Sequence, residues 1–336
     1  MATRIATWFV ADNQADATFF PQVGARSDCS EAQAVYWRCA VVFFTSSLAV
    51  NPHAPHAFYT NCEPPEIDGL DIGLLFERWG IEVVQLPITF RLDSGAVESW
   101  GNQFYVFDIL RHFVHQEDDE QLVLLDSDCI WLEPVDTLAE AIAEHGALTY
   151  PLDDNEHREG EPINGLSREG MARFTMRHGA KAQERIEYCG GEIIAVDRLT
   201  AGRIVESFAK LWPHLQADVA DSPREEAHLL SVIYALEGIA IGTAERFIRR
   251  MWTTFRYNNL APSDRWLTLW HLPAEKRTGF TNLFERIAAD PAADPRTGAD
   301  ALGLTFENYC TAMGWPHRGP VKFIRDLAHK LSEKFR

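Results

Sequence analysis

Positive charge is what this chain has least of. Against 49 Asp and Glu it carries 31 Lys and Arg, a formal net charge of −18, so its field repels phosphate backbones and excludes nucleic acid as a natural partner. A small phosphorylated ligand then needs a cation to mediate. Cysteine is sparse in pattern as well: Cys29, Cys39, Cys62, Cys129, Cys189 and Cys310 are scattered, with no CxxC pair. That argues against a disulfide frame or a zinc cluster and for reduced thiols serving as small core residues. Long apolar runs are missing too. The stretch CAVVFFTSSLAV (39–50) reads as too short and too polar for a bilayer span, and the N-terminus reaches Asp12 too early for a secretory h-region. The expectation is a cytoplasmic protein. No internal repeat is visible.

What is present is ordinary in amount and orderly in arrangement. With 336 residues, 46% of them apolar, the chain has enough surface to bury for one large α/β domain or two smaller ones. Apolar β-rich runs alternate with helical patterns: IATWFV, a helix from 31 to 50, HAFYTN, a helix around 73–79, IEVVQLP, a helix from 102 to 114, and QLVLLDSD. This rhythm predicts βαβ units and a mostly parallel sheet flanked by helices on both faces. Ligands of such sheets sit beyond the carboxyl ends of the strands. Polar residues gather there: Asp12 and Asn13, then Thr60 and Asn61, then Asp126 and Asp128. Further along come a helix ending near Gly146, the polar loop LDDNEHREGEP, a helix from 167 to 178, the strand IEYCGGEIIAVD, and the helix EEAHLLSVIYALEG. The polar loop is either a lid or a solvated connection.

In LVLLDSDCIWLEP, two aspartates follow four consecutive apolar residues. Side chains alternate along a strand, so Asp126 and Asp128 share a face while Ser127 points away. Two carboxylates that close repel unless a cation lies between them, and hard oxygen ligands suit Mg²⁺ or Mn²⁺. The plainer alternative is that one of them caps the next helix.

The unit LVLLDSDCIWLEPVDTL resembles the DxD segment of GT-A fold glycosyltransferases, and the overall pattern is closest to retaining family 8-type enzymes. The resemblance implies a Rossmann-like GT-A fold, with the aspartate pair holding Mn²⁺ or Mg²⁺ against the diphosphate of a nucleotide sugar. Four further segments are similar to parts of these enzymes. FVADN (9–13) resembles their opening strand, which implies nucleotide contacts at Asp12 and Asn13; Asn61 is a further substrate-binding candidate. LWHLPAEKRTGF (269–280) resembles their late segment, some 145 residues downstream of the pair (126 to 271). That likeness implies His271 as third metal ligand and Lys276 as the charge that neutralises the departing diphosphate; otherwise His271 is a core histidine and Lys276 a surface charge. YCGGEIIAVD (188–197) resembles a small-residue strand start, with Cys189 and Glu192 departing from the common pattern. Gly191 and Glu192 are candidates there, and Glu192 faces either acceptor or solvent. EEAHLL looks like the matching segment of the blood-group-type galactosyl- and GalNAc-transferases at Glu226.

Glu226 also stands out without any likeness. Ser222, Pro223 and Glu225 read as N-cap, N1 and N3, with Glu225 closing a capping box. Glu226 instead lies on the stripe of Leu229, Leu230 and Ile233 near the helix's positive end, where a desolvated carboxylate suits a nucleophile or an orienting base. A buried salt bridge is the alternative. The helix from 102 to 114 sits where the resembling enzymes place a helix bearing donor-contacting groups, which implies Asn102, Gln103 and Asp108 as candidates; the basic residue usual there for the phosphate or sugar is not evident.

The C-terminal stretch VKFIRDLAHKLSEKFR has an apolar stripe (Phe323, Ile324, Leu327, Leu331, Phe335) bordered by Lys322, Arg325, Lys330, Lys334 and Arg336. It is either a basic amphipathic helix contacting the inner face of a membrane through 321–336 or a helix docked on the domain. The expected organisation is a catalytic domain over 1–290 and a helical extension over 291–336. The expected activity is metal-dependent transfer of a hexose from a nucleotide diphosphate sugar, UDP-linked, to a hydroxyl on a glycan, lipid-linked or protein acceptor, with retention implied by the resemblance. A sugar-nucleotide pyrophosphorylase is the rival, disfavoured because FVADNQADATFF has no glycine-rich basic loop; an inactive binding protein of the same fold is the other.

Overall fold

A computed structural model describes residues 2–92, 101–116, 120–152, 161–179, 184–217, 221–297, 302 and 304–334. The expected lid-or-connection segment lies mostly outside them, as do the side chains of Leu331, Phe335, Lys330, Lys334 and Arg336 in the terminal stripe.

The central sheet has six strands: β1 (Thr3–Phe9), β2 (His56–Thr60), β3 (Ile81–Gln85), β4 (Gln121–Leu125), and two more contributed later, β6 (Ala147–Leu148) and β7 (Ile193–Asp197). Their order across the sheet is β6-β7-β4-β1-β2-β3. Strands β3, β2, β1 and β4 run parallel, β7 runs antiparallel to β4, and β6 antiparallel to β7. The sheet is therefore mixed and mostly parallel. A second, three-stranded sheet is built from β5 (Cys129–Trp131), β8 (Ile248–Arg250) and β9 (Leu269–His271) in the order β8-β9-β5.

The period-2 alternation of the strands divides the interior into two cores. Val123 and Leu125 of β4 join Ile5, Phe58 and Ile193 on one face, under α1 (Ser30–Val50), α2 (Ile72–Arg78), α4 (Asp136–His145) and α8 (Gly279–Ala289). Leu122 and Leu124 join Ala6, Ala57 and Ile194 on the other, under α3 (Tyr105–Val114), α5 (Arg168–Arg177), α6 (Arg198–Ala217) and α7 (Glu226–Glu237). Burying both faces is what a parallel sheet with near-continuous apolar strands requires. The expected layering is observed.

Three details differ from the sequence reading. Helix α1, taken over all of Ser30–Val50 and not over 39–50 alone, is long and apolar enough by length and composition to cross a membrane; 72% of its apolar window is buried within the protein. Its polar triplet is used internally, with Ser46 Oγ accepting the Trp131 N–H at 3.1 Å and Ser47 paired with His56 at 2.8 Å. The capping box at Ser222 does not form. Helix α7 begins at Glu226 with Glu225 as its extended N-cap, because the Glu225 carboxylate is engaged by the Tyr188 hydroxyl and by Asn164 Nδ2 at 2.7 Å. And the late strand is shorter than IEYCGGEIIAVD, starting at Ile193, so Cys189 to Glu192 form its approach.

The C-terminal helices α9 (Phe306–Met313) and α10 (Pro320–Lys334) pack back onto the rest. Trp315 lies against Trp270 and Phe306, with ring centroids 5.4 and 5.6 Å away. Lys322, buried, bonds Glu275 Oε2 at 2.7 Å and Asp326 at 3.1 Å. Val321, Phe323, Ile324 and Leu327 stay exposed.

Candidate active site

Strand β4 ends at Leu125, and the chain turns through Asp126, Ser127 and Asp128 into β5. The two aspartates are therefore brought together by a turn between two sheets, where the strand-alternation argument had placed them on one strand face. The small sheet does the rest. Strand β9 pairs antiparallel with β5, His271 opposite Cys129, and the Leu272 N–H donates to the Asp128 carbonyl at 3.0 Å. His271 Nε2 thus comes within 3.3 Å of Asp128 Oδ2 and 3.5 Å of Asp126 Oδ2. Five residues on, after a short 3₁₀ turn (Pro273–Glu275), Lys276 forms an ion pair with Asp128.

One ligand atom from each of Asp126, Asp128 and His271 lies within 4.8 Å of the others. Asp128 Oδ1 and His271 Nε2 are buried without a hydrogen-bond partner among the described residues. Buried polar atoms in that state are rare and call for an occupant. Two carboxylates and one imidazole fit a divalent cation such as Mn²⁺ or Mg²⁺. The electrostatics agree. Partial burial and the neighbouring Asp128 push Asp126 up to about 6, and its side chain, 36% exposed, sits at the open side of the cluster. Burial alone would raise Asp128 and lower His271 and Lys276; their mutual attraction outweighs it, holding Asp128 well below the carboxylate range, His271 at about 9 and Lys276 above its usual value.

These groups open onto a cavity of about 280 Å³, which Glu226, Gly191, Glu192, Asn102 and Gln103 also line. Glu226 is pushed well above the carboxylate range, first by burial and then by Glu225 and Asp126. Gly191 makes room for it, since a Cβ there would lie 2.3 Å from Glu226 Oε1. Glu192 reaches the cavity wall but has no solvent-exposed side-chain surface. It is held by Arg250 through two hydrogen bonds, at 2.9 and 2.7 Å, and this pairing outweighs burial to keep it near 2.

Of the predicted residues, the fold brings together Asp126, Asp128, His271, Lys276, Glu226, Gly191, Glu192, Asn102 and Gln103. Four do not line the cavity: Asp12, which lies behind Asn102 at 3.5 Å, Asn13, Asn61 and Asp108. Asp12 is paired with Arg91 at 2.8 Å, Asn61 clamps both backbone groups of Ala11, and Asn13 closes an exposed turn onto Ala15. Asp108 likewise accepts the Thr89 N–H at 2.9 Å and lies off the cavity wall. The sequence reading did not find Arg250, Tyr36, Trp252, Tyr188 or Asn164, all on the wall. Arg250 is a basic residue on the cavity wall, paired there with Glu192. It arrives through strand pairing, Arg250 opposite His271, which no local pattern announces.

No protein-family model matches the chain, and no curated protein matches it. Among solved structures it is similar to the galactosyltransferase LgtC in complex with donor and acceptor sugar analogs, at 12% identity over 80% of this chain and 86% of that one, with a TM-score of 0.45. An active-site mutant of LgtC matches at 11% identity over the same shares, with the same TM-score. That likeness is shallow; the chain's own mixed, mostly parallel α/β sheet and the side chains at its carboxyl edge are what any functional reading has to rest on.

Proposed function

We propose that the protein is a GT-A type glycosyltransferase that moves a hexose from a nucleotide diphosphate sugar, UDP-linked, to a hydroxyl acceptor with retention of configuration. The observation that carries this is one cavity at the carboxyl edge of the sheet holding the Asp126, Asp128 and His271 cluster, a buried lysine and a buried carboxylate. Asp126, Asp128 and His271 would hold Mn²⁺ or Mg²⁺. Bound there, the cation supplies Lewis-acid stabilisation of the diphosphate leaving group.

The chain's own residues account for the rest. Lys276 is buried, keeps its charge, and lies over the Tyr36 ring with its ammonium 5.6 Å from the centroid. A fixed cation in a dry site stabilises negative charge developing on the nucleotide far better than it would in water. Glu226 is kept neutral by burial and by its acidic neighbours; positive charge brought into the cavity favours its ionisation. Its carboxylate is then available to stabilise an oxocarbenium-like centre, or to bond it transiently, only when donor and cation are in place. The acceptor is a glycan, lipid-linked or protein hydroxyl. The reading includes a cytoplasmic location and peripheral membrane contact through 321–336, for which the exposed Val321, Phe323, Ile324 and Leu327 provide an apolar face.

The test is a thermal-shift and nucleotide-release panel of nucleotide sugars with Mn²⁺, Mg²⁺ and EDTA. Metal-dependent stabilisation by a UDP-sugar, with UDP released on addition of acceptor, is expected. Pyrophosphate release from a sugar phosphate and a nucleotide triphosphate would replace the reading with a nucleotidyltransferase. No metal-dependent response to any nucleotide sugar would end it.

A further inference from the structure

Glu192 is a buried carboxylate beyond the three candidate ligands, with no exposed side-chain surface. Arg250 grips both its oxygens, Nε donating to Oε1 at 2.9 Å and Nη2 to Oε2 at 2.7 Å. Its Oε1 is also 3.5 Å from Nδ1 of His271, which is buried with no hydrogen bond made among the described residues. That nitrogen is separated by Cε1 from Nε2, which faces the aspartates, and the two point in divergent directions in the ring plane. Backbone contacts fix the arrangement from three directions. Arg250 and His271 are register partners in β8 and β9, the Met251 N–H donates to the His271 carbonyl at 2.8 Å, and the Glu192 carbonyl accepts the Asp126 N–H at 3.1 Å. Gly190 completes it: a Cβ there would fall 1.8 Å from Glu192 Oε2 and 2.9 Å from Arg250 Nη2.

We infer that Glu192 is a positioning residue which, clamped by Arg250, takes the Nδ1–H of neutral His271 and presents the Nε2 lone pair to a divalent cation shared with Asp126 and Asp128. This rests on the metal reading above. A neutral imidazole has two tautomers and a ring free to flip; a carboxylate fixed at Nδ1 selects one of each and makes the other nitrogen a better ligand. Arg250 supplies the second half of the device. With both Glu192 oxygens held in its planar fork, the carboxylate supports the histidine instead of turning inward as a further ligand.

The experiment is an Mn²⁺ titration of the full chain followed by electron paramagnetic resonance, with ¹⁴N spin-echo modulation to read coordinated imidazole. The Glu192→Leu, Arg250→Met double variant removes both charges together, so no lone charge is left buried. It is expected to bind Mn²⁺ about ten- to a hundredfold more weakly, with a diminished nitrogen signal and a melting temperature close to that of the unaltered protein. Gly190→Ala displaces the Glu192 carboxylate without removing it and is expected to weaken binding in the same direction. Unchanged affinity and nitrogen coupling in both variants would overturn the inference and leave the metal reading standing. If the unaltered protein binds no Mn²⁺, or Asp128→Asn binds it equally well, the metal reading fails and the inference falls with it.

Discussion

Changing Gly191 to alanine tests the site at the point where backbone and proposed catalytic carboxylate are closest. The new Cβ would stand 2.3 Å from Glu226 Oε1 and 3.2 Å from its Cδ, where ordinary contact begins at 3.4 Å. The carboxylate has to retreat by about 1 Å, a displacement that costs a reacting group on the order of a hundredfold in rate. In free energy that is roughly 3 kcal/mol of transition-state stabilisation. The fold is expected to tolerate the change, because the obstructing atoms are the end of a side chain. The assay is UDP release with Mn²⁺, donor and acceptor, run beside a thermal melt. A hundredfold lower kcat with KM for the donor nearly unchanged and the melt shifted by a few degrees at most is the expected pattern. Turnover within twofold of that of the unaltered protein would refute the placement of Glu226 at the reacting centre.

Two more outcomes follow from the buried charges. In metal-free protein His271 is held at about 9 against 6.5 in an unfolded chain. A pKa raised by folding stabilises fully below the lower value and is lost as pH climbs through the higher one, so urea unfolding in EDTA should lose on the order of 3 kcal/mol between pH 6.5 and 9. The loss should vanish in His271→Asn, and an identical pH profile in the two proteins would contradict the cluster's electrostatics. Lys322→Met leaves the buried Glu275 without its cation, while Asp326 keeps its pairing with Arg318, and is expected to cost about 3 kcal/mol. An unchanged melting temperature would mean that α10 is not anchored to the rest of the protein.

The layers and the central pair of aspartates were legible because they depend on local pattern: alternating apolar runs, and acidic residues where a strand runs out. His271 and Lys276 were reached through a resemblance of segments, and the β5–β9 pairing explains physically why they belong beside Asp128. Arg250 was invisible for the same reason that it matters. Its position depends on a pairing between two three-residue strands, each too short to show a period. Glu225 was misread because a capping box is a local rule, and the hydroxyl of Tyr188 and the amide of Asn164 overrode it from elsewhere in the chain. Asp12 and Asn61 sit at strand ends as expected, yet their side chains hold the chain in place with Arg91 and Ala11.

The pairing of β5 with β9 also has a meaning in time. Asp128 leaves a ribosome long before His271 and Lys276, and the central sheet strands β1 to β4, β6 and β7 are all synthesised before β8 and β9. A growing chain can lay down the parallel sheet with only two of the three candidate ligands present. Closing the small sheet then assembles the ligand set in a single event. On the proposed metal reading, local opening of that three-stranded ribbon would part the candidate ligands while the six-stranded sheet stays folded, so loss of a bound ion and loss of fold would be separable transitions.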